Sequence, residues 1–309
     1  MESRGLGRVV LLLLKLVGWF YFVLPSSGQK LCARVLGAVL RLAKIRASVI
    51  EQNLVIAYPN DEAKRADLFY RTYEHLGFLL LEVPMIFGPM PWFAKRSTDI
   101  LGVQNWIKAK ESGKGVIFLA SHLGNWEVMA ASGALQGKID ILFVTKLLKP
   151  AWLHEAIEAA RLKYNIVGTY EPRTLRDILS QLKKNETVAI VLDQYAGPPI
   201  GVRVPFFGVP VGTSTAVATL VKRTGAKILP VLNFRTADGR FQVEIGEPIE
   251  WITSSDSKTE LALNTSIYAK KIQEMIYQHP EQWLWIHRRF KGNLSALRED
   301  EWQGGRARS

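Results

Sequence analysis

The chain carries five histidines, and His122 is the one whose surroundings suit proton transfer. It stands in Ser121-His122-Leu123-Gly124-Asn125-Trp126-Glu127, directly after the apolar run Val116-Ile117-Phe118-Leu119-Ala120. Open parallel sheets bind their ligands beyond the carboxyl ends of their strands, so a histidine there is well placed. Gly124 permits a tight turn, Asn125 suits the cap of a following helix, and Glu127 would fall in its first turn, facing back toward the imidazole. A carboxylate on one ring nitrogen fixes the tautomer and raises the basicity of the other, the arrangement that takes a proton from an alcohol. The spacing alone is cheap. Five histidines and 28 acidic residues among 309 give about 0.45 chance matches to His-x4-acid, so the position after a strand carries the argument. The plain alternative is that His122 caps a sheet edge and Glu127 supplies charge at a helix N-terminus.

Asp193-Gln194 follows the run Thr187-Val-Ala-Ile-Val-Leu192, a second carboxyl-end position from which the pair would orient an acceptor or bind loop backbone. Arg161, in a helical stretch, has a fixed guanidinium suited to an oxyanion or an acceptor phosphate; otherwise it is a solvated helix arginine. Pro205-Phe206-Phe207-Gly208 suits the wall of an acyl channel or ordinary core. Trp283, Trp285, His287, Arg288 and Arg289 read as an interfacial rim reaching lipid phosphates, or as packing at a helix end. Neither a G-x-x-x-x-G-K-[ST] nor a G-x-G-x-x-G run follows a strand, His154-Glu155 lacks the second histidine of a metal pair, and no G-x-S-x-G elbow occurs. The single cysteine, Cys32, excludes an intramolecular disulfide framework and a multi-thiolate zinc site. No metal and no cofactor is expected.

Around these residues, short β-rich runs at 115–120, 139–145, 187–192 and 227–233 alternate with helical stretches at 125–136, 151–163, 172–184 and 213–224, the last with Thr213 as its cap. Connections of that length favour parallel neighbours. Residues 241–245, after Asp238-Gly239, read as one antiparallel strand. Tyr268, Ile272, Met275 and Ile276 share the buried face of a late helix. The fold class is therefore α/β, a mixed, mostly parallel sheet flanked by helices.

An N-terminal membrane-associated helix precedes that domain. Residues 9–24 are apolar except for Lys15 and Gly18, with Arg4 and Arg8 ahead and a second basic group, Lys30, Arg34, Arg41, Lys44 and Arg46, behind. This run either lies in the interface or spans the bilayer with everything from Lys30 onward in the cytoplasm, the side that retains positive charge. A cleaved signal and a buried core helix are the competing readings. Residues 1–46 are read as this segment and 47–309 as the catalytic domain. The net charge of +12 favours anionic surfaces, and its clustering beside an apolar run points to membrane rather than nucleic acid.

Four ordered anchors resemble one family, the bacterial lipid A late acyltransferases, within the lysophospholipid acyltransferase superfamily. Arg46, Asn53-Leu54 and Ala57-Tyr58-Pro59 are similar to its R…NL…FP stretch; Ser121 to Glu127 resembles its His-x4-acid core. Asp193-Gln194 with Val204-Pro205-Phe206-Phe207-Gly208, and Gln282-Trp283-Leu284-Trp285-Ile286-His287-Arg288-Arg289-Phe290-Lys291, match its later segments. Lys146 stands where an arginine is usual and Asn165 where a glycine is, departures that bear on substrate identity. The resemblance implies an O-acyltransferase that moves a fatty acyl chain from a thioester, on acyl carrier protein or coenzyme A, to a glycolipid hydroxyl, without metal or nucleotide. His122 would be the base, Glu127 its partner and Arg161 the oxyanion or phosphate contact, with Asn125, Trp126, Lys146, Asp193 and Gln194 around the substrate. Its expected place is the cytoplasmic face of the bacterial inner membrane. Acceptors of other glycolipid or aminoacyl-lipid classes, and hydrolysis of a thioester by the same dyad, are the alternatives.

Overall fold

Val116–Ala120 is buried at every residue, as a strand covered on both faces must be. It is the second strand of a computed structural model that describes residues 2–291; residues 292–309, assigned above to the catalytic domain, and the side chain of Arg4 lie outside the described residues. The chain opens with α1 (Glu2–Val23), α2 (Ser26–Leu42), α3 (Ala47–Ala57), α4 (Glu62–Glu82) and α5 (Met90–Ser97). The alternating part comprises β1 (Thr98–Leu101), α6 (Val103–Lys110), β2 (Val116–Ala120), α7 (Trp126–Leu135), β3 (Ile141–Val144), α8 (Ala151–Leu162), β4 (Ile166–Thr169), α9 (Thr174–Lys183) and β5 (Thr187–Val191). It closes with β6 (Gly201–Phe206), β7 (Val209–Ser214), α10 (Ala216–Thr224), β8 (Lys227–Arg235), β9 (Phe241–Ile245) and α11 (Ser257–Gln278).

Seven strands form one sheet in the order β1-β9-β8-β2-β5-β3-β4. All its pairs are parallel except β8 with β9, the antiparallel hairpin expected from Asp238-Gly239. Alternation along β2 feeds two cores. Ile117 and Leu119 pack with Ile50, Ile178, Leu220 and Ile272 of α3, α9, α10 and α11. Val116, Phe118 and Ala120 pack on the other face with Tyr21, Phe93, Val128 and Ala160 of α1, α5, α7 and α8.

Two short strands, β1 and β4, and the separate β6-β7 hairpin were not foreseen: four-residue strands carry too little periodicity to stand out, and Pro205 and Pro210 demote the hairpin's runs as strand candidates. Thr213 is not the cap of α10. It pairs with Val202 inside the hairpin, and its hydroxyl is taken by Arg289 at 2.7 Å, so the helix starts three residues later.

The N-terminal helices lie against the body of the molecule. Gly77 of α4 lets the backbone of α2 approach so closely that a Cβ there would collide with the Ala33 carbonyl, and Gly37 does the same against Tyr73. Gly7 of α1 sits on the Trp152 ring and Gly18 on the Pro84 carbonyl. The window Leu6–Val23 has mean hydropathy 1.9 and is 17% buried, long and apolar enough to cross a membrane.

Candidate active site

β2 and β5 are parallel neighbours with Ala120 opposite Val191. Two residues beyond each of these, His122 and Asp193 therefore emerge side by side at the carboxyl edge. Strands on either side of β2 are reached in opposite directions, β5 and β3 on one side and β8 on the other, so this is the switch point of the sheet, the place where open α/β sheets bind their ligands.

The carboxylate of Asp193 takes the His122 backbone N–H on Oδ2 at 2.7 Å and lies 2.8 Å from His122 Nδ1 through Oδ1. The Trp283 indole N–H donates to the same Oδ2 at 2.7 Å. Asp193 is 1% exposed while the His122 side chain is 18% exposed, so the pair is rooted in the interior and the imidazole reaches solvent. Burial opposes a charge on the ring, but the Asp193 carboxylate outweighs it and holds the His122 pKa above the usual imidazole range. Burial likewise works against ionisation of Asp193, and the donors from His122 and Trp283 bring its pKa well below the carboxylate range. With Nδ1 directed at the carboxylate, Nε2 carries the free lone pair.

Glu127 is not brought to the imidazole. Its carboxylate is held by Arg161, through Nη2 at 2.5 Å and Nε at 3.2 Å, and accepts the Trp126 indole N–H at 3.1 Å. Trp126 in turn meets the His122 ring edge-on at 5.4 Å, so Glu127 touches the histidine's surroundings only through that ring. Arg161 also donates to Glu158 at 3.1 Å and is buried; both faces of its guanidinium fork are occupied by this chain's own carboxylates. Lys146 and Gln194 are near His122 Nε2. Gln194 Nε2 lies 3.5 Å from His122 Nε2, and Lys146 Nζ lies 3.4 Å from Gln194 Oε1.

Asn125 caps α7 as expected, accepting the N–H groups of Glu127 at 3.0 Å and Val128 at 3.3 Å. Gly124, at φ +63°, passes so near the Asn233 carbonyl that any side chain would clash. The His122 loop also pairs with the terminal segment: Leu284 N–H donates to the His122 carbonyl and Gly124 N–H to the Gln282 carbonyl, both at 3.0 Å.

The terminal aromatic segment is core, not an interfacial rim. Trp283, Trp285 and Arg289 are 1%, 0% and 1% exposed. Asn53 Nδ2 bonds the carbonyls of Trp285 at 2.6 Å and His287 at 2.7 Å, while Arg289 binds the Gln194 carbonyl at 2.8 Å. Phe206 and Phe207 pack against Trp283 within the same cluster. These residues lock the loops that carry His122 and Asp193. His287 contributes more directly: its ring lies 4.8 Å from that of His122, and burial together with His122 pushes its pKa down to about 4, so it is a neutral neighbour.

Trp283 as a partner of Asp193 and Glu82 as a partner of Asn125, at 2.9 Å, were missed from sequence. Glu82 did leave a signal, being a lone acid within Gly77-Phe-Leu-Leu-Leu-Glu82-Val-Pro-Met-Ile-Phe87.

The chain is an acyltransferase built on an α/β sheet. It belongs to the bacterial lipid A biosynthesis acyltransferase family, whose model matches residues 2–292. It is 28% identical over 285 residues to the lipid A biosynthesis palmitoleoyltransferase of Escherichia coli (strain K12), covering 88% of each chain. It is also 28% identical over 257 residues to the lauroyltransferase of the same organism, covering 82% of this chain and 81% of that one. A phosphatidylinositol mannoside acyltransferase of Mycobacterium tuberculosis (strain ATCC 25618 / H37Rv) is 27% identical over 201 residues, 64% of this chain and 61% of that one.

Proposed function

We propose that this acyltransferase moves a fatty acyl group from a thioester, carried by acyl carrier protein or coenzyme A, to a hydroxyl of a membrane glycolipid of the lipid A precursor class. The observation that carries the reading is the His122 imidazole, held on Nδ1 by a buried carboxylate while the ring itself stays partly exposed. Nε2 takes the acceptor's hydroxyl proton as its oxygen attacks the thioester carbon. The tetrahedral intermediate collapses, the C–S bond breaks, and the departing sulfur receives the proton from His122. Lys146 and Gln194, on the Nε2 side, offer positive charge and an amide N–H to the oxyanion. Arg161, engaged by Glu127 and Glu158, steadies the start of α7. Names of the relatives support the acceptor class, since two act in lipid A biosynthesis; the +12 charge suits an acidic carrier protein as donor.

The work is done on the cytoplasmic face of the bacterial inner membrane. Gly7 and Gly18 dock α1 on the body at two points about 16 Å apart along a helix, so α1 travels with the domain and lies in the interface. Its outer face presents Leu12, Leu13, Leu16 and Phe20, and α2 presents Leu31, Val35, Val39 and Leu42, all exposed, as helices embedded in-plane do.

Mass spectrometry of lipids from cells deprived of this chain tests the assignment. A glycolipid lighter by one fatty acyl group should accumulate. Unchanged glycolipids with an altered free fatty acid pool would contradict it.

A further inference from the structure

Asn125 is the residue at which the His122 loop becomes a helix, and both ends of its side-chain amide and its backbone carbonyl are engaged. Its Oδ1 caps α7, its backbone carbonyl accepts from Asn233 Nδ2 at 2.7 Å, and its Nδ2 donates to Glu82 Oε2 at 2.9 Å. Glu82, at the end of α4, is 0% exposed. Its other oxygen receives the guanidinium of Arg235, the last residue of β8, which is sandwiched 4.1 Å from the Phe78 ring and 4.3 Å from the Phe241 ring. The side chain of Arg235 is 11% exposed. Gln282 then clamps the backbone of Arg235, accepting its N–H at 2.7 Å and donating to its carbonyl at 2.9 Å, and the Gln282 carbonyl receives Gly124 N–H.

A buried ion pair is a costly way to hold a fold, because apolar residues of the same volume serve equally well or better. A role in geometry accounts for it here. We infer that the Glu82–Arg235 pair is a positioning device for acyl transfer: it fixes Asn125 from behind and so sets where the His122 loop ends and where α7 presents Trp126 and Glu127. Neither residue touches the reacting atoms. The pair joins α4, β8 and the catalytic loop, three elements far apart in the chain, at the point where a displacement of the loop would move His122 relative to its substrates. A misplacement of that kind lowers the rate of the chemical step by about 10²-fold for a shift of the order of 1 Å, and leaves substrate affinity largely alone.

The inference rests on the reading of His122 as the base, and the test separates the two. Wild-type transfer is measured in the same lipid vesicles, so failure of acyl transfer shows in the wild type, whereas failure of the positioning role shows only among variants. Glu82→Leu with Arg235→Met replaces the whole pair with apolar groups. Its melting temperature should stay near that of wild type while kcat falls about 10-fold to 100-fold and KM changes little. Glu82→Gln and Glu82→Leu both strip Arg235 of its counter-charge and share that stability loss, but only glutamine keeps an oxygen for Asn125. Glu82→Gln should therefore recover most of the kcat lost in Glu82→Leu. A double variant with wild-type kcat, or equal kcat in Glu82→Gln and Glu82→Leu, would show that the pair serves the fold alone.

Discussion

Replacing His122 with alanine should lower kcat by about 10² to 10⁴-fold, the usual worth of a general base, with the melting temperature unchanged. The fold is expected to survive because Asp193 keeps two of its donors, the backbone N–H of residue 122 and the Trp283 indole N–H, and so is not left as an unpaired buried charge. Turnover in lipid vesicles and a thermal melt monitored by circular dichroism are the two readouts. A folded His122→Ala enzyme that transfers acyl groups at the wild-type rate would remove the base from the mechanism.

The second large effect is at Asp193. Asp193→Asn keeps the shape but withdraws the charge that steadies the imidazolium, and an amide on Nδ1 favours the wrong tautomer; a carboxylate-to-amide change of this kind costs on the order of 10⁴-fold in kcat. Its pH signature follows from the sign of the shift. The base works when neutral, so kcat/KM rises with pH through the His122 pKa, which in wild type lies above the usual value of about 6.5 because Asp193 raises it more than burial lowers it. In Asp193→Asn the raising cause is gone and burial remains, so the acid limb should move to lower pH. Glu127→Gln changes a carboxylate bonded to Arg161 and Trp126, and the acid limb should stay where it is. An acid limb that moves in Glu127→Gln and not in Asp193→Asn would transfer the orienting role to Glu127.

Much of this site was legible before the structure. Both strands that carry it were visible as β-rich runs, and His122 and Asp193 were each placed at a carboxyl end. What the sequence left open was strand order. Nothing local in Val116–Ala120 or Thr187–Val191 says that these two strands are neighbours, and the register that sets Ala120 opposite Val191 is a property of the assembled sheet. The spacing of five between His122 and Glu127 therefore drew attention to the nearer carboxylate, while the one that reaches the ring is 71 residues away. The terminal segment misled in a different way. Tryptophans beside arginines resemble an interfacial belt, but the carbonyl contacts of Arg289 and the capture of this backbone by Asn53 tie the segment to the interior, where Trp283, Trp285 and Arg289 are buried. Arg161 shows the same limit: Glu158 lies three residues before it on the same helix, but Glu127 is on α7, and only the assembled structure reveals that the guanidinium is already committed.

The central claim is that His122 activates a lipid hydroxyl rather than water. The most direct measurement follows labelled acyl groups from a thioester of acyl carrier protein, presented to the purified enzyme in vesicles with and without a glycolipid acceptor. Label should appear as an ester on the acceptor, depend on the acceptor's presence, and disappear in His122→Ala. Release of free fatty acid at the same His122-dependent rate whether or not acceptor is present would contradict the account and make the protein a thioesterase.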